Sequence, residues 1–283
     1  MVRWKRDPTG PGQVIDRRGA GPGLRTVGFG GGGIAIIALI IITLLGGGSS
    51  LDDLTNILAP AGEVDTDAEP LDPATDPDAD LVRFLEGVLQ DTQSMWVGVF
   101  EQAERSYRPT NLVVFSAVTQ SGCGGAQAQS GPHYCPADEL VYMDLDFLAE
   151  LQRRFGAAGD TAQAYILAHE IGHHVQHQLG ITEEVQSLGS NEASIALELQ
   201  ADCFAGVWLS TLRAEGSSAA ILEAGDLEEA LNAAAAVGDD AIQSQTTGQV
   251  NPESWTHGSA EQRYQWLNTG FTTGSPGECD TFG

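Results

Sequence analysis

Four of the six histidines in the chain fall between residues 169 and 177, in the segment AHEIGHHVQH. Apolar and small residues recur around them at helical spacing, which predicts one helix from about 161 to 179, ended by Gly180. Residues i and i+4 share a face of a helix, so the imidazoles of His169 and His173 would lie side by side. This is the H-E-x-x-H pattern, in which two imidazoles bind one zinc ion and the glutamate, here Glu170, accepts a proton from water. A solvated surface helix is the plainer alternative, but the apolar setting disfavours it.

A third zinc ligand is needed, and the nearby histidines do not suit it. His177 lies about 12 Å along an unbroken helix from the first histidine of the pair, and His174 points away from that pair. Glu192 and Glu198 on the following helix, predicted over about 191–214, are the remaining candidates, and at most one of them can face the metal. Glu198 is favoured because Asp202 shares its face and could accept the second ring N–H of a ligating histidine.

Charge is distributed unevenly along the chain, whose formal net charge is -26. Six of the 13 basic residues precede position 26, whereas 37 of the 39 acidic residues follow it, and so acidic a surface disfavours nucleic acid as a partner. Residues 27–48 carry no charge and approach the ~20 residues needed to cross a bilayer, which predicts an uncleaved transmembrane helix. The positive-inside rule would keep residues 1–26 as a cytoplasmic tail and place the rest outside the cell membrane in a single-pass protein. Residues 49–79, rich in Asp and Pro, would form an extended linker.

The four cysteines all lie on the predicted extracytoplasmic side, where disulfides persist. Three pairings are possible, and we favour Cys123 with Cys135 and Cys203 with Cys279.

Residues 80–283 read as one domain of class α+β, predominantly helical with a small sheet. Short strands are predicted at 112–116 and 140–143. One helix is predicted to begin near Asp80, and further helices are predicted at 144–155, 226–236 and 259–268. Ser259 and Gln262 predict a capping box for the last helix. Strand 140–143 could also serve as an edge to which an extended peptide pairs.

Beyond the zinc pattern, the segments SGCGGA, GPHYCP, VYMDLDF, ELQADCFAGVW, VGDDAIQ, THGSAEQR and CDTFG follow one another along the chain. In this order they resemble the YpfJ-type putative neutral zinc metallopeptidase family. The resemblance implies a zincin-like, gluzincin-type arrangement with His169, His173 and Glu198 on zinc, Glu170 as catalyst and an N-terminal anchor. The family would have an aromatic residue where this chain has His133, a difference that does not involve the proposed metal ligands.

These observations predict a membrane-anchored zinc peptidase, with one Zn²⁺ per chain, acting on peptide or protein substrates. Glu170 would act as general base, and His257, with Tyr142 as second choice, would stabilise the oxyanion. The alternative is a catalytically inactive zinc-binding interaction or quality-control protein on the same fold. A purely structural zinc site has no need of a carboxylate such as Glu170 beside an open coordination position.

Overall fold

The computed structural model describes residues 10–18, 71, 74–127, 131–149, 159–213, 221–246 and 248–283. The strands are β1 (Val14–Asp16), β2 (Asn111–Phe115), β3 (Val118–Ser121), β4 (Gly124–Gln127), β5 (His133–Cys135) and β6 (Leu140–Asp144). The helices are α1 (Ala79–Gln102), α2 (Asp160–Leu179), α3 (Ile181–Leu188), α4 (Asn191–Thr211), α5 (Asp226–Ala236), α6 (Asp239–Thr246) and α7 (Ala260–Thr273). Short 3₁₀ turns follow at Pro252–Ser254 and Pro276–Glu278.

The main sheet has four strands in the order β1-β2-β6-β5. The first three are parallel, with Val113 opposite both Ile15 and Tyr142, and β5 is antiparallel to β6. Strands β3 and β4 form a separate hairpin. Because β6 lies between β2 and β5, the prediction that strand 140–143 offers a free edge is wrong, and β5 forms that edge.

Alternation along the strands divides the sheet into two apolar faces. Leu112, Val114, Val141 and Met143 join the main core, which includes α1, α2 and α4. The opposite face forms a smaller cluster from Val113, Phe115, Tyr142 and Cys135, with Ile15 and Cys123 beside it. The predicted pairings both form, as Cys123–Cys135 beneath this second face and Cys203–Cys279 between α4 and the C-terminal segment.

Local sequence signals located the helices well. Helix α2 ends at Gly180, whose φ of 81° is the left-handed conformation that glycine tolerates, and Ser259 and Gln262 form the predicted capping box of α7. Helices α3 and α6 were not predicted. Of the helix predicted at 144–155, residues 145–149 are helical, and those from 150 lie outside the described residues.

The predicted fold class needs correction on its transmembrane helix. The described residues form a mixed α/β domain that is mostly helical, and none of their helices combines the length and apolar character needed to cross a bilayer. The span predicted at 27–48 lies outside the described residues.

The predicted location is also wrong. It placed residues 1–26 in the cytoplasm and the catalytic domain outside the cell membrane, yet β1 pairs with β2 in the sheet of that domain. Strands on opposite sides of a bilayer cannot share backbone hydrogen bonds. Arg18, almost fully buried, also binds Asp76 at 2.6 Å, so both the tail and the end of the predicted linker contribute to the folded unit.

Candidate metal centre

Helix α2 places the two predicted zinc histidines on one face, with their ring centroids 4.7 Å apart. Burial of Tyr165, Leu167, Ala168 and Ile171 fixes the helix in the core. Its first turn is held by Glu229 of α5, whose Oε1 accepts a hydrogen bond from the backbone N–H of Ala162 at 2.9 Å. The histidine pair is therefore presented by a helix that is anchored along its length.

Helix α4 brings Glu198 to this pair. The α4 backbone approaches α2 closely at Gly172, where a Cβ would lie 3.2 Å from the Cα and the carbonyl oxygen of Ala201. The glycine inside HEIGH therefore allows the two helices to meet, since a larger side chain would push α4 outward. Glu198 Oε2 lies 3.3 Å from His169 Nε2, and Glu198 Oε1 lies 3.5 Å from His173 Nε2.

These three groups fit zinc. Their donor atoms all lie within 4.8 Å of one another. Two ligands on a tetrahedral zinc ion with bonds of about 2.0–2.1 Å are ~3.4 Å apart, which is close to the nitrogen–oxygen separations found here. Two imidazoles and one carboxylate are also the donor types of catalytic zinc sites that keep a fourth position open.

Asp202 holds the first histidine of the pair from behind. Its Oδ1 lies 2.8 Å from His169 Nδ1 and also accepts from the Tyr165 hydroxyl at 2.6 Å. Arg263 of α7 donates to both Asp202 oxygens, at 2.8 and 2.9 Å. Because the carboxylate can only accept, His169 must carry a proton on Nδ1, so Nε2 is the ring nitrogen that faces Glu198 and would bind a metal.

The second histidine is held by a neutral amide instead. His173 Nδ1 lies 2.8 Å from Gln176 Oε1, one turn further along α2. Both imidazoles therefore present Nε2 to the same point.

The charges in the centre reinforce one another. Burial alone would raise the pKa of Glu198. The pKa is instead held well below its usual range by the charges of His173 and His257 and by hydrogen bonds from the imidazoles of His169 and His173. Burial likewise opposes protonation of His169, yet the Asp202 charge and hydrogen bonds to Asp202 and Glu198 raise its pKa to about 10. These charges hold Glu198 ionised, which favours a cation beside it.

Glu170 and His257 act on this group through their charges. Glu170 is 7% exposed. Burial lowers the pKa of His173, but the charge of Glu198 and, to a smaller extent, the charge of Glu170 raise it. His257 belongs to the loop before α7, where Asp239 Oδ2 accepts the backbone N–H groups of Thr256, His257 and Gly258. Asp239 Oδ1 lies 3.3 Å from His257 Nδ1, which orients the ring.

The residues rejected from the metal set are engaged elsewhere. His174 Nε2 donates to the carbonyl oxygen of Arg108 at 2.6 Å, and His177 Nδ1 lies 2.7 Å from a Glu183 oxygen. Glu192 is exposed. Tyr142, the second choice for the oxyanion, lies on the sheet face opposite the helices, where its hydroxyl donates to Asp138, and so it is not near the centre.

Sequence reasoning missed four polar residues that support the centre: Tyr165, Gln176, Gln200 and Arg263. Each is buried and hydrogen-bonded. Arg263 carried the clearest signal, because only seven arginines follow position 26 and this one falls within a predicted helix. Nothing local connected it to Asp202, which lies 61 residues away.

Comparison with known proteins places this geometry in context. The family model described as "Putative neutral zinc metallopeptidase" matches residues 2–282. The chain is 46% identical over 211 residues to the uncharacterized protein YpfJ of Escherichia coli strain K12, covering 72% of each chain. It is 44% identical over 213 residues to the uncharacterized protein Rv2575 of Mycobacterium tuberculosis strain H37Rv, covering 72% of this chain and 73% of that one. No solved structure gives a significant match.

Proposed function

Because the chain belongs to the putative neutral zinc metallopeptidase family, we propose that it hydrolyses peptide bonds at one zinc ion held by His169, His173 and Glu198. The observation that carries this proposal is the convergence of two imidazole Nε2 atoms on one carboxylate, at 3.3 and 3.5 Å. Bound there, zinc would act as a Lewis acid: it would polarise a peptide carbonyl and lower the pKa of a water molecule toward neutrality.

Glu170 is proposed as the general base. Its position directly after the first ligand of the same helix sets its carboxylate beside the zinc position, and its low exposure keeps competing water away. One carboxylate oxygen takes a proton from the attacking water and then delivers it to the departing amine. General acid–base catalysis of this kind contributes about 10²–10⁴-fold to the rate.

His257 is proposed to stabilise the oxyanion. Asp239 Oδ1 lies 3.3 Å from its Nδ1, so Nε2 is the ring nitrogen left to donate to an oxyanion. The effect of His257 on the pKa of Glu198 supports a position close to the centre. A donor aimed at developing negative charge contributes more than one aimed at the ground-state carbonyl.

The substrate backbone is proposed to pair with β5. Among the described strands, β5 lies at the edge of the main sheet and pairs only with β6. Its Tyr134 packs against His174 and His177 of α2, with ring centroids 5.2 and 6.0 Å apart, so this edge runs beside the zinc helix. An extended peptide added to such an edge gains backbone hydrogen bonds with little dependence on its sequence.

Zinc content and cleavage of unstructured peptides by the full chain test this proposal, with wild type compared with Glu170→Gln. We expect both proteins to hold one zinc ion, and the variant to lose at least ~10²-fold in kcat because its amide cannot accept the proton. Equal cleavage by both proteins would remove Glu170 from the mechanism. Zinc binding without cleavage by either would favour the inactive zinc-binding protein.

A further inference from the structure

The amide of Gln176 has only one possible orientation. Its Nε2 lies 2.7 Å from the backbone oxygen of Leu197 and 3.1 Å from Gln200 Oε1, and its side chain is fully buried. A backbone carbonyl only accepts hydrogen bonds, so the Gln176 NH₂ group must face Leu197. Its Oε1 must then face His173 Nδ1, which lies 2.8 Å away and has to act as the donor. This orientation fixes a proton on His173 Nδ1 and makes Nε2 the ring nitrogen that faces Glu198.

Gln200 is oriented in the same way by another backbone carbonyl. Its Nε2 donates to the carbonyl oxygen of Cys279 at 3.0 Å, so its Oε1 is turned toward Gln176. Hydrogen bonds therefore run in one direction from His173 through Gln176 and Gln200 to Cys279. We call this chain of side chains the amide relay.

The far end of the relay is fastened to α4. Cys279 is bonded to Cys203, and the Thr281 hydroxyl donates to the carbonyl oxygen of Ala196 at 2.6 Å. These two attachments, which we call the C-terminal clamp, fix the Cys279 carbonyl relative to the helix that carries Glu198. The last residues of the chain are thereby coupled to the metal centre without contacting it.

We propose that Gln176 and Gln200 are positioning residues for His173, and that the C-terminal clamp maintains zinc affinity through them. This inference rests on the proposed zinc site. Without the clamp, Gln200 loses its fixed acceptor and can rotate. Gln176 then keeps only its bond to the Leu197 carbonyl, so its Oε1 is held less firmly toward His173 Nδ1. His169 has no such dependence, because the Asp202 carboxylate can accept in any orientation.

The test measures the zinc dissociation constant of the full chain by competition with a chromophoric chelator. We expect Gln176→Leu to weaken zinc binding by about 10–100-fold, the range found when partners behind metal ligands are removed. The double variant Cys203→Ser/Cys279→Ser should weaken zinc binding in the same direction. Cobalt in place of zinc should give an altered visible spectrum in both, a change that loss of stability alone would not produce.

Two matched controls separate the relay from general damage. Cys123→Ser/Cys135→Ser removes the other disulfide, on the far face of the sheet, and Gln163→Leu removes an amide from the same helix. Both should bind zinc as tightly as wild type. If Gln176→Leu fails to fold, Gln200→Leu carries the same test one hydrogen bond further away.

Unchanged zinc affinity in Gln176→Leu, or equal losses in the two disulfide variants, would overturn the relay while leaving the proposed zinc peptidase intact. Failure of the wild-type chain to bind zinc would instead overturn the proposed function and the relay with it.

Discussion

Asp202 joins three buried polar side chains at the metal centre. It is fully buried and engages His169, Tyr165 and Arg263 together. Burial would raise its pKa, but the charges of Arg263 and His169 lower it, so the carboxylate stays ionised. Arg263 neutralises that charge, so Asp202 can accept from His169 Nδ1 without standing as an unpaired charge in the core.

Arg263→Met should destabilise the fold strongly, because it leaves the Asp202 charge buried without its partner. Breaking one side of a buried ion pair costs about 3–5 kcal/mol of unfolding free energy. Urea denaturation measures this. Arg83→Met is the control, since Arg83 pairs with Asp80 on the surface and should change stability little. A similar small effect for both would show that Arg263 is dispensable.

His174 makes a pH-dependent contribution to stability. Burial lowers its pKa to about 4, from an ordinary value of 6.5, so the fold favours the neutral ring. A depressed folded-state pKa stabilises the protein fully above the unfolded pKa, and this stability is lost as the pH falls from about 6.5 to 4. The loss amounts to about 3 kcal/mol at pH 4. His174→Gln should therefore show a smaller fall in unfolding free energy between pH 7 and pH 4, and an unchanged fall would contradict this.

Among the elements, the crossing of α4 and α7 matters most because it brings Arg263 to Asp202. Two glycines make the crossing possible. A Cβ at Gly270 would overlap the carbonyl oxygen of Cys203, and one at Gly206 would overlap the carbonyl oxygen of Leu267. The two helix backbones thus touch directly, and α7 cannot move outward without withdrawing Arg263.

Gly270→Ala should lower the thermal midpoint, with a loss of ~1–3 kcal/mol from overpacking against backbone that cannot yield. Gly98→Ala in α1 is the matched control, because nothing lies within 4 Å of its would-be Cβ. There the better helix propensity of alanine should stabilise the protein by up to ~1 kcal/mol. Calorimetry distinguishes the two, and a destabilised Gly98→Ala would refute the packing argument.

Helices α2 and α7 were predictable because their signals are local. The spacing of His169 and His173, the stop at Gly180 and the capping box at Ser259 each involve residues within one or two turns. Glu198 was chosen over Glu192 by the same short-range logic, since Asp202 follows it by one turn. Arg263 and the amide relay could not be predicted, because their partners lie tens of residues away and only the packing of α2, α4 and α7 brings them together.

At the scale of the whole molecule, the N-terminal segment is where the structure differs most from the sequence-based prediction. A strand of three residues in a basic, glycine-rich region has no periodicity that sequence alone could detect. Yet β1 completes the sheet, Gln93 donates to the Pro11 carbonyl at 3.1 Å, and Arg18 is buried against Asp16 and Asp76. The unit therefore begins before the boundary predicted at residue 80, and experiments on this protein call for the full chain.

Metal analysis of the full chain after dialysis decides whether Glu198 binds zinc together with His169 and His173, with Glu198→Ala compared with Glu192→Ala on the same helix. We expect one zinc ion per chain in wild type and in Glu192→Ala, and loss of zinc from Glu198→Ala, because Glu198 is the carboxylate that faces His169 and His173. Zinc retained in full by Glu198→Ala would contradict this.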